Sequence, residues 1–374
     1  MGTKPTLHEV AAAAGVSLAS ASRALTGRSA SPEMVRKVRT AAKRIGYLPD
    51  ATARSLRLGG HPQVVFAVDD IGNPNYVQML RAIEEELGET TRISVSSTGR
   101  RPDQTVELVR MLSMGAGDGL IISPLRVTPA LRQALADTVV PVVVIGTLHS
   151  ELGIDSVFVD SAVAVGMVVD HLVEIGRTRI GVINGPGNTN TGAARRAGFT
   201  AAAERHGLAR TDARQITATD FTVGAGVEAA ERLLTTTAEN GDVIDAIVCA
   251  NDLIAIGAID AARRRGMRVP EDIAVTGIDD TDLAALFSPS LTSVSLQSER
   301  RGRIAAQMLR ERFADPSRPT RRETVEATLV VRASTIGESL LAPRARVRRP
   351  PRRRVHPRSP AVSLVLDATR RWGW

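Results

Sequence analysis

The sequence lacks the features of disulfide-bonded, secreted and membrane proteins. Cys249 is its one cysteine, so an internal disulfide and a cysteine-based zinc cluster are both excluded. That cysteine lies in an apolar run, which is typical of a small buried hydrophobic residue. No run approaches the roughly 18 uninterrupted apolar residues of a membrane helix. Residues 1–6 show no apolar core of a signal peptide. We therefore expect a cytoplasmic protein with no membrane partner.

Catalytic motifs are missing as well. The sequence contains no Gly-x-Ser-x-Gly, His-Glu-x-x-His or Walker pattern, and its six histidines show no metal-ligand spacing. The residue types at positions 224–229 match the sequence fingerprint of a dinucleotide-binding site. However, residues 219–223 are a poor strand, and that fingerprint directly follows a strand. We expect neither an enzyme nor a site for a metal or a cofactor.

Lysine is scarce, and charge is unevenly distributed. Only three lysines occur, so arginine is the usual cation. We attribute this to codon bias and do not count it as evidence for DNA binding. The net charge of +8 divides into +7 for residues 1–60, −8 for 61–340 and +9 for 341–374. An acidic body behind a basic N-terminal module indicates that only the small module meets a polyanion.

Residues 1–48 predict a helix-turn-helix DNA-binding domain. Apolar residues recur at helical spacing from Leu7 to Ala14. Gly15 ends this helix, and Ser17 caps a second one. Ser31-Pro32 opens a third helix at the cap and first-turn positions. Two helices joined by a glycine-containing turn and followed by a third helix are the helix-turn-helix pattern.

The second helix carries the candidate base-reading residues. In this geometry its N-terminal part enters the major groove, with Leu18, Ala19, Ser22 and Arg23 facing outward. Arg23 can make a bidentate contact with guanine, while Leu18 and Ala19 can meet thymine methyl groups. Ser17 would mainly contact phosphate. The alternative is a three-helix packing unit in which Arg23 is simply solvated.

Four stretches resemble a known family of regulators. Residues 6–11, 14–27, 45–51 and 53–56 closely resemble the head of the lactose/purine repressor (LacI) family, and the resemblance continues to about residue 335. Residues 20–23 read Ser-Ala-Ser-Arg where the family commonly has Thr-Val-Ser-Arg, and we expect the smaller Ala21 in this conservative change to loosen the packing slightly. The resemblance implies a ligand-responsive repressor that binds a near-palindromic DNA operator as a homodimer, with a tetramer as the alternative.

Residues 49–60 carry helix start and stop signals about eight residues apart, fewer than the roughly 12–15 that a helix needs to persist alone in water. The resemblance implies that this stretch is a hinge helix that folds when the protein binds DNA. Leu56 matches the family's wedge, which inserts into the minor groove. Arg54 and Arg57 would position the protein on phosphates. The alternative is an ordinary interdomain linker.

Residues 61–340 alternate between strand and helix patterns, which implies parallel sheets with crossover helices. About 280 residues exceed one compact doubly wound sheet, so we expect two α/β lobes. The family's body resembles a periplasmic sugar-binding protein with a ligand cleft between two lobes. The strand candidates are 64–68, 93–97, 119–123, 142–145, 180–183, 246–249 and 273–277, and the helix candidates include 76–87, 105–114, 162–175, 193–206 and 253–265.

Polar residues follow several of the predicted strands. In open α/β sheets, ligands bind beyond the carboxyl ends of the strands. Asn73, Ser123, Asn251 and Asp279 occupy such positions. Short amides, hydroxyls and carboxylates there can orient a hydroxyl-rich ligand through hydrogen bonds. Their alternative role is to cap the next helix or complete a turn, and we favour that role for Asp252 and Asp280.

The resemblance adds three residues to this candidate effector site. Tyr76 stands in a segment that matches a family effector contact, Arg195 matches a ligand-gripping arginine, and Phe221 takes the place of an aromatic platform. Pocket polarity favours a sugar or sugar derivative as the effector. A purine corepressor is the alternative effector. A solute-binding protein is the competing class, against which the helix-turn-helix and the missing signal peptide argue.

Residues 341–374 depart from the family pattern. They are rich in arginine and proline and cannot bury a core, so we expect disorder. We favour no specific function for this tail. Nonspecific DNA affinity and read-through of a shifted reading frame are the alternatives.

Overall fold

The computed structural model describes residues 5–26, 30–45, 47, 61–99, 101–148, 152–208 and 214–337. The predicted hinge at 49–60 and tail at 341–374 lie outside these ranges, so both stay predictions. No helix within the ranges combines the length and the apolar character that crossing a bilayer demands.

Three helices form the N-terminal head, as the apolar pattern predicts. They are α1 (Leu7–Ala14), α2 (Leu18–Thr26) and α3 (Pro32–Ile45). Thr6 and Glu9 form a capping box, in which the Glu9 N–H donates to the Thr6 hydroxyl and the Thr6 N–H donates to the Glu9 carboxylate. Gly15 has a left-handed φ of 59°, which turns the chain toward α2. The helices share one small core of Val10, Ala11, Ala14, Ala21, Ala24, Leu25, Val38, Ala41 and Ala42.

The rest of the described chain alternates between strands and helices. The strands are β1 (Gln63–Val68), β2 (Arg92–Ser97), β3 (Gly119–Ser123), β4 (Val142–Ile145), β5 (Asp155–Phe158), β6 (Ile180–Asn184), β7 (Gln215–Thr217), β8 (Ala246–Cys249), β9 (Ala274–Asp279), β10 (Thr292–Ser295), β11 (Arg322–Thr324) and β12 (Thr328–Val330). The helices are α4 (Pro74–Leu87), α5 (Pro102–Met111, continued by a π-helical turn at Leu112–Ala116), α6 (Pro129–Asp137), α7 (Ser161–Glu174), α8 (Asn190–Arg205), α9 (Val223–Glu239), α10 (Asp252–Arg264), α11 (Asp282–Leu286), α12 (Ser298–Ala314) and α13 (Ala333–Ile336).

Two six-stranded sheets define two lobes, which confirms the predicted architecture. The first-lobe sheet is entirely parallel and has the order β11-β5-β4-β3-β1-β2. The second-lobe sheet has the order β12-β10-β9-β8-β6-β7, in which only β12 is antiparallel to its neighbour. The chain passes between the lobes three times, between β5 and β6, β10 and β11, and β11 and β12. Late segments therefore return to the first lobe.

All seven predicted strands are present, shifted by no more than two residues at either end. Five further strands, β5, β7, β10, β11 and β12, were not predicted. All five hold only three or four residues with at least one polar end, so they lack the apolar run that identifies a strand in a sequence. The predicted helices are likewise found within three residues of their expected starts.

Candidate functional site

A cavity of about 770 Å³ opens between the two lobes, beyond the carboxyl ends of β1, β3, β8 and β9. This is where ligands bind in open α/β sheets. The seven side chains predicted for the effector site all line this one cavity. They are Asn73, Tyr76, Ser123, Arg195, Phe221, Asn251 and Asp279.

The first lobe contributes several neutral hydrogen-bonding groups to the cavity wall. Asn73 caps α4 by accepting a hydrogen bond from the Asn75 N–H at 3.0 Å. Tyr76 is buried and its hydroxyl is hydrogen-bonded to Ser123; burial raises the pKa of Tyr76 above its ordinary value, so the phenol stays protonated. The Ser298 hydroxyl at the start of α12 donates to the Asn75 side-chain oxygen. This wall therefore offers amides and hydroxyls to a ligand.

Arg195 brings a buried cation to the second-lobe wall. It lies on α8, is 7% exposed, and donates from Nη1 to the Ala250 carbonyl. Gly198 allows α8 to pack closely, since a Cβ at this position would lie 2.5 Å from the Ala162 backbone. Burial lowers the pKa of Arg195, an effect that Asp279 opposes. The Nε atom of Arg195 is buried without a hydrogen-bond partner among the described residues.

Phe221 and Asn251 shape the same wall together. The Phe221 ring lies against Gly185, where a side chain would collide with it. The Asn251 amide donates to the Phe221 carbonyl at 3.2 Å, and its oxygen accepts from the Ile254 N–H at 2.9 Å. Both ends of the Asn251 amide are thus engaged within the protein. This geometry supports the capping alternative for Asn251, while Phe221 keeps a face on the cavity.

Asp279 stands on a strained turn that a buried carboxylate holds in place. Asp279 and Asp280 have φ values of 121° and 55°, a region that residues other than glycine rarely occupy. Behind them, Asp252 accepts hydrogen bonds from the Thr281 N–H at 2.8 Å, the Thr281 hydroxyl at 2.9 Å and the Ser293 hydroxyl at 2.6 Å. Burial raises the pKa of both Asp252 and Asp279. Asp252 therefore positions the turn, and it is absent from the cavity lining.

Arg301 also lines the cavity, and sequence reasoning missed it. It lies on α12 and is 7% exposed. A signal was present, because Arg301 shares the buried helical face of Ile304, Ala305 and Met308 at spacings of three, four and seven residues. A charged residue on an otherwise apolar face is a candidate site residue. The pattern gave no indication that α12 returns to the cleft.

The candidate DNA-reading surface lies on α2. Leu18 is 38% exposed, Ala19 and Arg23 are exposed, and Ser22 is half-buried. The Ser17 hydroxyl accepts a hydrogen bond from the Ser20 N–H at 3.1 Å, so it caps α2 as predicted. The remaining predicted DNA contacts, Arg54, Leu56 and Arg57, lie outside the described residues.

The glycines of residues 224–229 and Cys249, which the sequence does not favour as functional residues, have structural roles. Gly224 and Gly226 lie inside α9, where Gly226 allows the helix to touch the Ile254 backbone of α10. A coil, and not a strand, precedes them, as the sequence predicts. Cys249 is fully buried, and burial raises the pKa of its thiol. Within the described ranges, no cluster of three or more potential metal ligands occurs.

A helix-turn-helix head joined to a two-lobed body with a polar cleft defines a DNA-binding regulator with a ligand-binding domain. Residues 6–50 match the family described as "Bacterial regulatory proteins, lacI family", and residues 169–335 match "Periplasmic binding protein-like domain".

The regulator CelR of Thermobifida fusca is 31% identical over 88% of this chain and 98% of its own. Catabolite control protein A of Priestia megaterium is 30% identical over 87% of this chain and 95% of its own. The solved complex of CelR with cellobiose superposes with a TM-score of 0.66 at 29% identity, covering 88% of this chain and all of the other. The chain therefore belongs to the lacI family of bacterial regulatory proteins.

Proposed function

We propose that the protein is a transcriptional repressor that binds a near-palindromic operator as a homodimer and is controlled by a small molecule in the interlobe cleft. The observation that carries this proposal is the cleft itself, because its lining comes from both lobes of a chain that begins with a helix-turn-helix. A ligand that contacts both lobes stabilises one arrangement of them over others.

The homodimer follows from how such heads read DNA. A single α2 offers few base contacts, whereas two heads related by a two-fold axis read two half-sites and roughly double the contact energy. Arg23, Leu18 and Ala19 would select bases. Arg54, Arg57 and Ser17 would mainly hold the protein on phosphates.

The cleft chemistry favours a sugar or sugar derivative as the effector. Asn73, Ser123 and Asp279 suit hydroxyl groups, and Phe221 offers a face on which a sugar ring can stack. The solved CelR complex, a structural relative, contains cellobiose. Effector binding would change how the lobes sit and hence the spacing of the two hinge segments at 49–60. Coupling of this kind is typically about 1–3 kcal/mol.

Fluorescence anisotropy on the protein's own upstream DNA tests this function. We expect salt-sensitive, sequence-preferring binding by the wild type. Arg23→Ala should relax base preference, and Leu56→Ala should weaken operator binding strongly while leaving effector affinity nearly unchanged. Arg264→Ala, on the exposed end of α10, is the control and should bind like the wild type.

The repressor proposal fails if neither this DNA nor other candidate operators is bound with sequence preference. If Leu56→Ala binds the operator as tightly as the wild type does, residues 49–60 are an interdomain linker and not a hinge helix that contacts DNA. A thermal-shift screen of sugars, sugar phosphates and purines tests the effector class. If guanine or hypoxanthine alone stabilises the protein, the effector is a purine corepressor and not a sugar.

A further inference from the structure

Two buried guanidinium groups face the cleft from opposite lobes. Arg195 lies on α8 of the second lobe and Arg301 on α12, which packs against α4 in the first lobe. Each is 7% exposed. The Arg301 position is fixed by its neighbour Gly302, since a Cβ there would lie 2.5 Å from the Met79 carbonyl oxygen on α4. Both cations therefore belong to the rigid parts of their lobes.

Most of the donors of these two side chains are not used by the protein. A guanidinium has five N–H groups. Arg195 donates to the Ala250 carbonyl, and Arg301 donates to the Ser298 hydroxyl at 3.3 Å. In both residues Nε is buried and has no hydrogen-bond partner in the described part of the chain. Nε is closed off from the cavity, so the Nη donors that the protein leaves unused are the ones that these two lining residues can offer to a ligand that accepts hydrogen bonds.

The buried charge near these groups is also unbalanced. Asp279 is the buried carboxylate of the cavity lining and faces two cations. Burial, with a smaller contribution from the neighbouring Arg195, lowers the pKa of Arg301 to about 10 against the opposing effect of Asp279. At the rim, Asp70 and Asp160 accept hydrogen bonds from backbone N–H groups at 2.8 Å. Among the charged lining residues that are more than nine-tenths buried, two cations therefore face one carboxylate, while the less buried Asp69, Asp220, Arg132 and Arg322 line the outer part of the cavity.

We propose that the effector is an anionic sugar derivative whose carboxylate or phosphate group bridges Arg195 and Arg301 across the cleft. This inference rests on the proposed function and adds the charge of the ligand to it. Guanidinium groups bind both anions through paired, charge-assisted hydrogen bonds, which makes arginine suited to this recognition. The hydroxyl groups of the sugar would face the amides and hydroxyls of the first-lobe wall.

An anion between the two cations also explains how ligand binding would couple to lobe position. Without a ligand, Asp279 is the buried carboxylate that acts on both Arg195 and Arg301. A bridging anion attracts both, and thus favours arrangements in which the lobes approach. Hydrogen bonds to charged groups are strong enough to favour the anionic sugar over its neutral counterpart by about 10- to 100-fold.

Calorimetric titration with matched probes tests the proposal. The probes are D-glucose with D-glucuronate and D-glucose 6-phosphate, and D-galactose with D-galacturonate and D-galactose 6-phosphate. We expect at least one acidic probe to bind the wild type about 10-fold or more tighter than its neutral counterpart. Comparison of the two sugar acids with the two sugar phosphates shows whether the site binds a carboxylate or a phosphate group. A wild type that binds no acidic probe more tightly than its neutral counterpart overturns the proposal.

Variants at position 301 identify the group responsible. Arg301→Met should reduce the anion preference to less than about threefold, Arg301→Lys should retain part of it, and Arg300→Gln, a change at the exposed neighbour, should leave it intact. Arg301→Met should also raise the melting temperature of the ligand-free protein, because it removes a poorly paired buried cation. An unchanged preference in Arg301→Met contradicts the assignment.

Operator binding by the wild type is measured in parallel. A protein that binds its operator but prefers neutral sugars refutes the anionic effector and leaves the repressor function standing. A protein that prefers acidic sugars but binds no operator refutes the repressor function instead.

Discussion

The two lobes share a sheet topology but secure their cleft residues differently. In the second lobe, Asp252 is fully buried and accepts three hydrogen bonds, which join the start of α10 to the turn after β9 and to β10. In the first lobe, the wall rests on smaller sets of contacts, such as the chain in which Arg301 donates to Ser298 and Ser298 donates to Asn75. Connected networks hold a site more rigidly than isolated bonds. We infer that the second lobe presents a preorganised surface onto which the first lobe closes.

Removing the Asp252 carboxylate should have the largest effect. Asp252→Ala leaves three buried donors without an acceptor, and we expect a loss of about 3–5 kcal/mol in the free energy of unfolding, measured by urea denaturation. Asp260→Ala is the matched control on the same helix, because its ion pair with Arg264 is exposed and should contribute less than about 1 kcal/mol. A loss below about 1 kcal/mol in Asp252→Ala would show that the second-lobe wall does not depend on this network.

The pH dependence of stability provides a second test of that network. Burial, together with the charge of Asp279, raises the pKa of Asp252 to about 7. Between about pH 4 and pH 7 the native state therefore binds more protons at this site than the unfolded state does. The contribution of Asp252 to stability is full at the acidic end and is lost as the pH rises through the raised pKa.

Comparison with Asp252→Asn isolates this contribution, because the amide does not titrate. The free energy of unfolding of the wild type, minus that of Asp252→Asn, should fall as the pH rises from about 4 to about 7. A constant or rising difference for Asp252→Asn would contradict the raised pKa.

Local patterns in the sequence predicted the parts of the fold that local forces determine. The capping residue Ser17, the turn at Gly15 and the apolar strands such as β1 and β8 each depend on neighbouring residues in the chain, and each is confirmed. Residues at strand ends were also placed correctly, since parallel strands bring their carboxyl ends to one edge.

Contacts between distant segments could not be predicted in this way. Asp252 meets Ser293, 41 residues away, and the sequence favoured only a capping or turn role for it. Arg301 could be assigned to the buried face of a helix, but its position in the cleft depends on the chain returning to the first lobe after β10. The path of the chain between the lobes depends on how whole lobes pack, so a short sequence pattern cannot predict it.

Packing between helices provides a comparison in which the lobes should behave alike. Gly226→Ala in the second lobe and Gly302→Ala in the first would place a Cβ 2.6 Å from the Ile254 oxygen and 2.5 Å from the Met79 oxygen, respectively. Each should lower the free energy of unfolding by about 1–3 kcal/mol through overpacking. Gly224→Ala is the control within the same helix as Gly226, because it has open space and should be neutral or slightly stabilising. If only one of the two variants lost much of its free energy of unfolding, the lobes would differ in the packing of their helices as well as in the cleft wall.

The smallest effect is expected from the first-lobe wall. Ser298→Ala removes the hydrogen bond to Asn75, and it should lower the free energy of unfolding by about 1 kcal/mol in urea denaturation. Ser317→Ala, at an exposed hydroxyl bonded to Asp315, is the control and should change stability by less than about 0.5 kcal/mol. Since Ser298 and Asp252 lie in different hydrogen-bonded groups and share no hydrogen-bond partner among the residues that the structure describes, Ser298→Ala and Asp252→Ala should also be additive when combined. If Ser298→Ala were as costly as Asp252→Ala, the first-lobe wall would be as interconnected as the second, and both lobes would have to be treated as preorganised surfaces.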